Sequence, residues 1–126
     1  MTKTSGLAVD TAVAYFRAWT GGDIKKAEQY FADTLVCDAP RAGHVEGAAT
    51  YKRVLEDFMK LVTGGTLIAA FGDDSSAMLY YEIESTMVKK TPIAEYVKVK
   101  DGKITYVRIL FDQTPWHAAR KERGIS

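Results

Sequence analysis

Apolar residues recur at helical spacing over positions 7 to 20, where Val9, Ala12, Val13, Phe16 and Trp19 share one side and Gly21-Gly22 stops the run. The spacing predicts an amphipathic helix. Asp23 is placed to cap a second, shorter helix whose buried side is supplied by Ile24, Ala27, Tyr30 and Phe31. A short extended run, Leu35-Val36-Cys37, ends at Asp38 and the turn Ala39-Pro40, and a Gly-rich charged loop follows over Arg41 to Gly47. Tyr51, Val54, Leu55, Phe58, Leu61 and Val62 then repeat with helical period up to Gly64-Gly65, which predicts a third helix.

Beyond that helix the texture changes to β-branched and aromatic runs separated by turn residues. Thr66 to Phe71, Ala77 to Thr86, Ile93 to Lys100 and Ile104 to Phe111 read as antiparallel strands, divided by Asp73-Asp74-Ser75-Ser76, by Lys89-Lys90 and by Asp101-Gly102, a pair suited to a type I′ hairpin. In the third of these strands Lys98 and Lys100 share the wet face, so Ile93, Glu95, Val97 and Val99 share the other. Glu95 is therefore expected to point inward, where a carboxylate must find a partner, take up a proton or face a wet cavity; an edge strand with both faces wet is the plainer alternative. The order of elements predicts an α+β fold: three helices packed on a curved antiparallel sheet.

Composition narrows the function classes. The 126 residues, 47% of them apolar, suffice for one domain with a sizeable core. Net charge is +1 with Lys and Arg scattered, so no basic stripe awaits nucleic acid, and Arg120-Lys121 with Arg123 reads as a solvated C-terminal tail. Cys37 is the only cysteine, which excludes an intrachain disulfide and suits a reducing, cytoplasmic setting. No apolar stretch has the length of a membrane span, and the first residues lack a signal-peptide core, so neither a membrane nor export is expected. The two histidines are far apart and make no metal site, and no cofactor is expected.

Asp38 is the first candidate for chemistry. A carboxylate at the end of an apolar strand can point into a dry interior, where its proton affinity rises and it can serve as a general base. The plainer reading is an Asp that ties down its own turn. His44, in the loop that could cover a pocket mouth, is a candidate proton shuttle, although loop histidines are usually just exposed. Glu82 and Glu84 lie opposite Leu79, Tyr81 and Ile83, which makes them solvent-facing by pattern.

Several segments together carry a resemblance: Tyr15-Phe16-Arg17-Ala18-Trp19 with Gly22-Asp23, Tyr30-Phe31-Ala32-Asp33 leading to Val36-Cys37-Asp38-Ala39-Pro40, Gly47 before a helix, and Asp101-Gly102-Lys103-Ile104 near the end. In these the chain resembles the nuclear transport factor 2-like superfamily, in particular its SnoaL-like and ketosteroid isomerase-like members. The resemblance implies a cystatin-like α+β barrel, a cone-shaped sheet around an apolar pocket, and a homodimer. Ketosteroid isomerases set an ionised Asp base opposite an oxyanion hole of Tyr and a neutral carboxylic acid. By position these map to Asp38, whose Asp-Pro pair is here interrupted by Ala39, to Tyr15, and to Glu95. Counting strand positions against the isomerase turns Glu82 and Glu84 inward, contrary to their pattern. Trp19, His44, Phe58, Val97 and Phe111 are the expected pocket side chains.

Three function classes follow. The first is a small-molecule enzyme in which Asp38 abstracts a proton next to a carbonyl while Tyr15 and protonated Glu95 stabilise the enolate, giving isomerisation or aldol cyclisation of the polyketide-cyclase kind. An epoxide-hydrolase variant would want an Arg between two Asp residues, which the inward strand faces do not offer. The second is a binding protein that holds an apolar small ligand unchanged. The third is a dimerisation module that uses outer-face aromatics such as Tyr106.

Overall fold

The computed structural model describes residues 6–124. Helix α1 (Leu7–Thr20) and the short α2 (Ile24–Glu28) form the predicted pair, and the Asp23 side chain accepts from the Lys26 amide at 3.0 Å to cap the second. Tyr30 and Phe31 leave that helix, because the chain is already extended at Phe31, where strand β1 (Phe31–Ala39) begins. The expected loop after it is in part a strand: β2 (Gly43–Glu46) turns back on β1 and pairs Asp38 with His44. Helix α3 (Ala48–Met59) stops short of the expected end, and Val62 opens β3 (Val62–Gly72) with Gly64-Gly65 inside the strand. A Cβ on Gly65 would lie 3.0 Å from the Thr20 methyl, so glycine there lets the end of α1 press on the sheet.

Strands β4 (Ser76–Ser85), β5 (Thr91–Lys100) and β6 (Lys103–Leu110) complete one sheet of order β2-β1-β6-β5-β4-β3. All neighbours are antiparallel except β1 and β6, which run parallel, so the expectation of a wholly antiparallel sheet is corrected at that pair. Asp101 (φ 53°) and Gly102 (φ 75°) supply the left-handed backbone of the β5–β6 turn. Register shifts in β3 and between Lys98 and Val99 help to curve the sheet, which stays open between β2 and β3. Its inner face, with Leu79, Tyr81, Ile83, Ile93, Val97 and Val107, packs on α1 and α3.

The C-terminal residues form a fourth helix, α4 (Thr114–Glu122), where a solvated tail was expected. Pro in its first turn starts it, and Trp116 and Ala119 bury one side. Trp116 packs at 5.8 Å on Phe58 and 6.1 Å on Phe111 and donates its indole N–H to Thr91 at 3.1 Å. Among the described residues, no helix is long and apolar enough to cross a membrane.

Candidate active site in the cavity between sheet and helices

A cavity of about 370 Å³ opens between the inner sheet face, α1, α3 and α4. That volume is at the lower end of the range of small-molecule sites, about 300–1,000 Å³. Most of its wall is apolar, including Trp19, Phe58, Ile93, Ile109, Phe111 and Trp116.

Glu95 lies in this wall. It stands on β5 between Leu79 of β4 and Ile109 of β6, and strand alternation sends its side chain inward with Ile93 and Val97. No part of it reaches solvent. Its two oxygens are both held: Tyr81 donates to Oε1 at 2.6 Å and Tyr15 donates to Oε2 at 2.9 Å. The Tyr15 hydroxyl is in turn hydrogen-bonded to that of Tyr51, from the first turn of α3. Two tyrosines, from α1 and β4, thus converge on one carboxyl, a third from α3 joins through Tyr15, and all three line the cavity.

Burial sets the electrostatics of this cluster. It raises the Glu95 carboxyl to about 7, against the pull of the tyrosine hydrogen bonds, which favour the charged form. Burial and then the Glu95 charge push all three phenols well above their ordinary value, so they remain neutral donors. Cys37, also in the wall, is pushed up to about 12, first by burial. Glu95 is the group here that can change charge near neutrality.

The hydrogen-bond directions follow from proton counting. With Glu95 ionised, Tyr81 and Tyr15 must both donate to it, and Tyr51 must donate to Tyr15. With Glu95 protonated its own O–H can donate to Tyr15, which frees the Tyr15 proton for Tyr51 and the Tyr51 proton for the cavity. One proton on Glu95, placed on the oxygen facing Tyr15, reverses the chain and changes what Tyr51 offers a ligand. Trp19 adds a second polar point: its indole N–H is buried without a hydrogen-bond partner among the described residues.

Asp38 lies outside this cavity, which corrects the expectation that it points inward. In β1 the inward positions are Leu35 and Cys37, both fully buried, so Asp38 between Cys37 and Ala39 must face outward. There its carboxylate pairs with His44 Nδ1 at 2.7 Å and accepts from the Tyr106 hydroxyl at 2.7 Å. These hydrogen bonds hold the Asp38 carboxyl below its usual range, and Asp38 and Glu46 raise His44. His44 is likewise on the outer face, on β2, and covers no pocket mouth. Glu82 and Glu84 follow their pattern and point away from Tyr81 and Ile83.

Of the other expected pocket residues, Trp19, Phe58 and Phe111 line the cavity, as Tyr15 does. Val97 faces inward but is packed in the core away from the cavity. Sequence reasoning missed Tyr51, Tyr81, Cys37, Trp116 and the arginines Arg41 and Arg120. A signal for two of them was present. Tyr51 and Tyr81 both fall on faces that the pattern buries, and a buried tyrosine hydroxyl needs a polar partner, for which inward Glu95 is the available acceptor.

Residues 12–107 match the family profile of the SnoaL-like domain. The chain belongs to the SnoaL-like family. A crystal structure of a Kribbella flavida protein is 43% identical to this SnoaL-like chain, covers 95% of it and 98% of its own length, and superposes with a TM-score of 0.91. A second Kribbella flavida structure, with a provisional ketosteroid isomerase assignment, is 17% identical over 84% of this chain and 78% of its own, at a TM-score of 0.75. An LEH-like epoxide hydrolase of M. tuberculosis is 16% identical over 92% and 90%, at 0.74. At those identities the two share the fold with this chain, and the chemistry must be argued from its own side chains. A search of curated proteins gives no match.

Proposed function

We propose that this SnoaL-like chain is a small-molecule enzyme that moves a proton next to a carbonyl, as isomerases and cyclases do, with Glu95 as the proton store. The observation that carries the reading is one fully buried carboxyl at the wall of an apolar cavity, raised by burial to about 7 and hydrogen-bonded by the hydroxyls of Tyr15 and Tyr81. Asp38 takes no part in this scheme, because its carboxylate is spent on His44 and Tyr106 on the other face of the sheet.

The reaction runs through the hydroxyl chain. The C–H bond next to the substrate carbonyl breaks and its proton goes to the Tyr51 oxygen, while the Tyr51 proton passes to Tyr15 and the Tyr15 proton to Glu95. The electron pair left on carbon delocalises onto the carbonyl oxygen as an enolate. The reversed chain then presents a Tyr51 O–H to the substrate, and return of the proton to a different carbon completes an isomerisation. Attack of the enolate carbon on a second carbonyl instead gives cyclisation. Glu95 and the three tyrosines are buried at the wall of the cavity, which strengthens each of these hydrogen bonds.

The test is deuterium uptake from heavy water by a panel of cyclic ketones and enones, followed by NMR. Wild type is expected to catalyse exchange, Glu95→Gln to lose about a hundredfold, in line with the usual worth of an acid–base group, and Asp38→Asn to stay within about twofold. Full activity in Glu95→Gln would sink the proposal. A non-catalytic carrier is the second reading, supported by the unpartnered Trp19 N–H, which suits a ligand acceptor without any turnover. Ligand binding that shifts Trp fluorescence, with no exchange of any carbonyl compound, would favour it.

We also propose a homodimer that covers the outer sheet face. Phe71 and Met78 are cross-strand neighbours there, and Tyr80 and Leu110 continue the same face through Ala94; all four large side chains are between 42% and 56% exposed. Sedimentation should give a dimer for wild type and a monomer for Tyr80→Lys. A wild type that sediments as a monomer at tens of micromolar rules this out.

A further inference from the structure

The cavity has charge at its solvent end that the proton-transfer scheme leaves unused. Arg41, in the β1–β2 turn, and Arg120, on α4, both contribute to its wall, together with Gln113. Arg41 is exposed and Arg120 half-buried, whereas Glu95 and its tyrosines are fully enclosed, so the arginines stand at the mouth and the carboxyl at the deep end. Neither guanidinium has a carboxylate within ion-pair distance among the described residues. Asp57, the other acidic side chain in the wall, instead meets Lys60 at 3.3 Å. Arg120 lies over the Trp116 ring, 5.8 Å from its centroid, and burial and then Arg41 lower its affinity for its proton. Two like charges thus share a partly desolvated entrance, and neither is paired with an acidic side chain among the described residues. An anionic ligand group placed between them would relieve their repulsion.

We propose that the ligand of this cavity is an organic acid, with an apolar body among the aromatic side chains and a carboxylate clasped at the mouth by Arg41 and Arg120. The proposal rests on the reading of the cavity as a ligand site and adds the substrate class to it. A planar carboxylate suits paired guanidiniums because each presents parallel N–H donors. It also fixes direction: with the acid end at the mouth, the far end of the molecule is delivered to Tyr51 and Glu95. Trp19 offers a further donor along the way.

The experiment compares naphthylacetate with the isosteric, uncharged naphthylacetamide, titrated against wild type, Arg41→Gln, and Arg41→Gln with Arg120→Gln, and followed by quenching of tryptophan fluorescence. Glutamine keeps part of each apolar stem, and Arg41→Gln, on an exposed turn, leaves the packing of α4 intact. Wild type is expected to bind the acid about tenfold tighter than the amide, a preference that weakens with salt. Each substitution should lower affinity for the acid and leave affinity for the amide unchanged. Equal binding of acid and amide by wild type overturns the organic-acid proposal while leaving the cavity a ligand site. If neither compound binds, that reading and the proposal fall together.

Discussion

Near pH 8 the Glu95→Gln protein should be more stable than wild type by about 3 kcal/mol, and the difference should vanish near pH 4, as follows from linkage between proton binding and folding. Glu95 titrates at about 7 when folded against an ordinary 4.5, because burial penalises its charge. Below the lower value both states hold the proton, and ionisation favours neither. Between the two values the unfolded chain has released its proton and the folded chain has not, so the unfolded state gains and stability falls as pH rises. Above the folded value both are ionised and the loss is complete. A Gln side chain mimics the neutral acid: its N–H can donate to Tyr15, Tyr15 can donate to Tyr51, and Tyr81 can still donate to the amide oxygen. Asp38 and Asp112 are shifted the other way, below their ordinary range, and titrate outside this window. Urea unfolding of both proteins across pH measures the effect. Parallel stability curves would show that Glu95 is not held neutral by the fold. A substitution that stabilises the protein while removing its proton store is what a functional site held at a cost to folding predicts.

Trp116→Ala should cost about 3–5 kcal/mol, the usual range for deleting a large buried aromatic. The indole is almost fully buried, packs on Phe58 and Phe111, carries the Arg120 guanidinium, and donates to Thr91, a buried threonine on β5. Removing it leaves a void beside the existing cavity, strips Thr91 of its donor, and frees α4 from the sheet. Because the indole is part of the cavity wall, loss of stability should be accompanied by weaker binding of any ligand that fills the site. Denaturant midpoints, with the slope checked for a change in the folded state, report the first effect. A cost under about 1 kcal/mol, typical of surface substitutions, would mean that α4 is an appendage and not a wall.

The sequence was most informative where a periodic pattern was long and its polar positions consistent. Lysines at 98 and 100 placed Glu95 on the inward face of β5 without any knowledge of its partners. The same alternation, applied to Leu35 and Cys37, turns Asp38 outward, but that run is short and the Ala39-Pro40 turn directly after it leaves the facing of its last residue open. The fourth helix was hidden for a related reason. Its buried side is only Trp116 and Ala119, too few apolar positions to outweigh the charges of Arg120, Lys121 and Arg123. The strand that replaced the expected loop, Gly43–Glu46, is four residues long and buries only Val45.

By itself the sequence determined the α+β order of elements, the amphipathic first helix, the β5–β6 hairpin and the inward carboxyl of Glu95, because each depends on side-chain periodicity or on turn residues within one segment. Only the tertiary structure decided that Tyr15 and Tyr81 meet on that carboxyl with Tyr51 behind Tyr15, that Asp38 pairs with His44 and Tyr106 on the opposite face, and that Arg41 and Arg120 share the cavity mouth. Those groupings join residues from separate helices, strands and turns, and no local pattern records the distance between them.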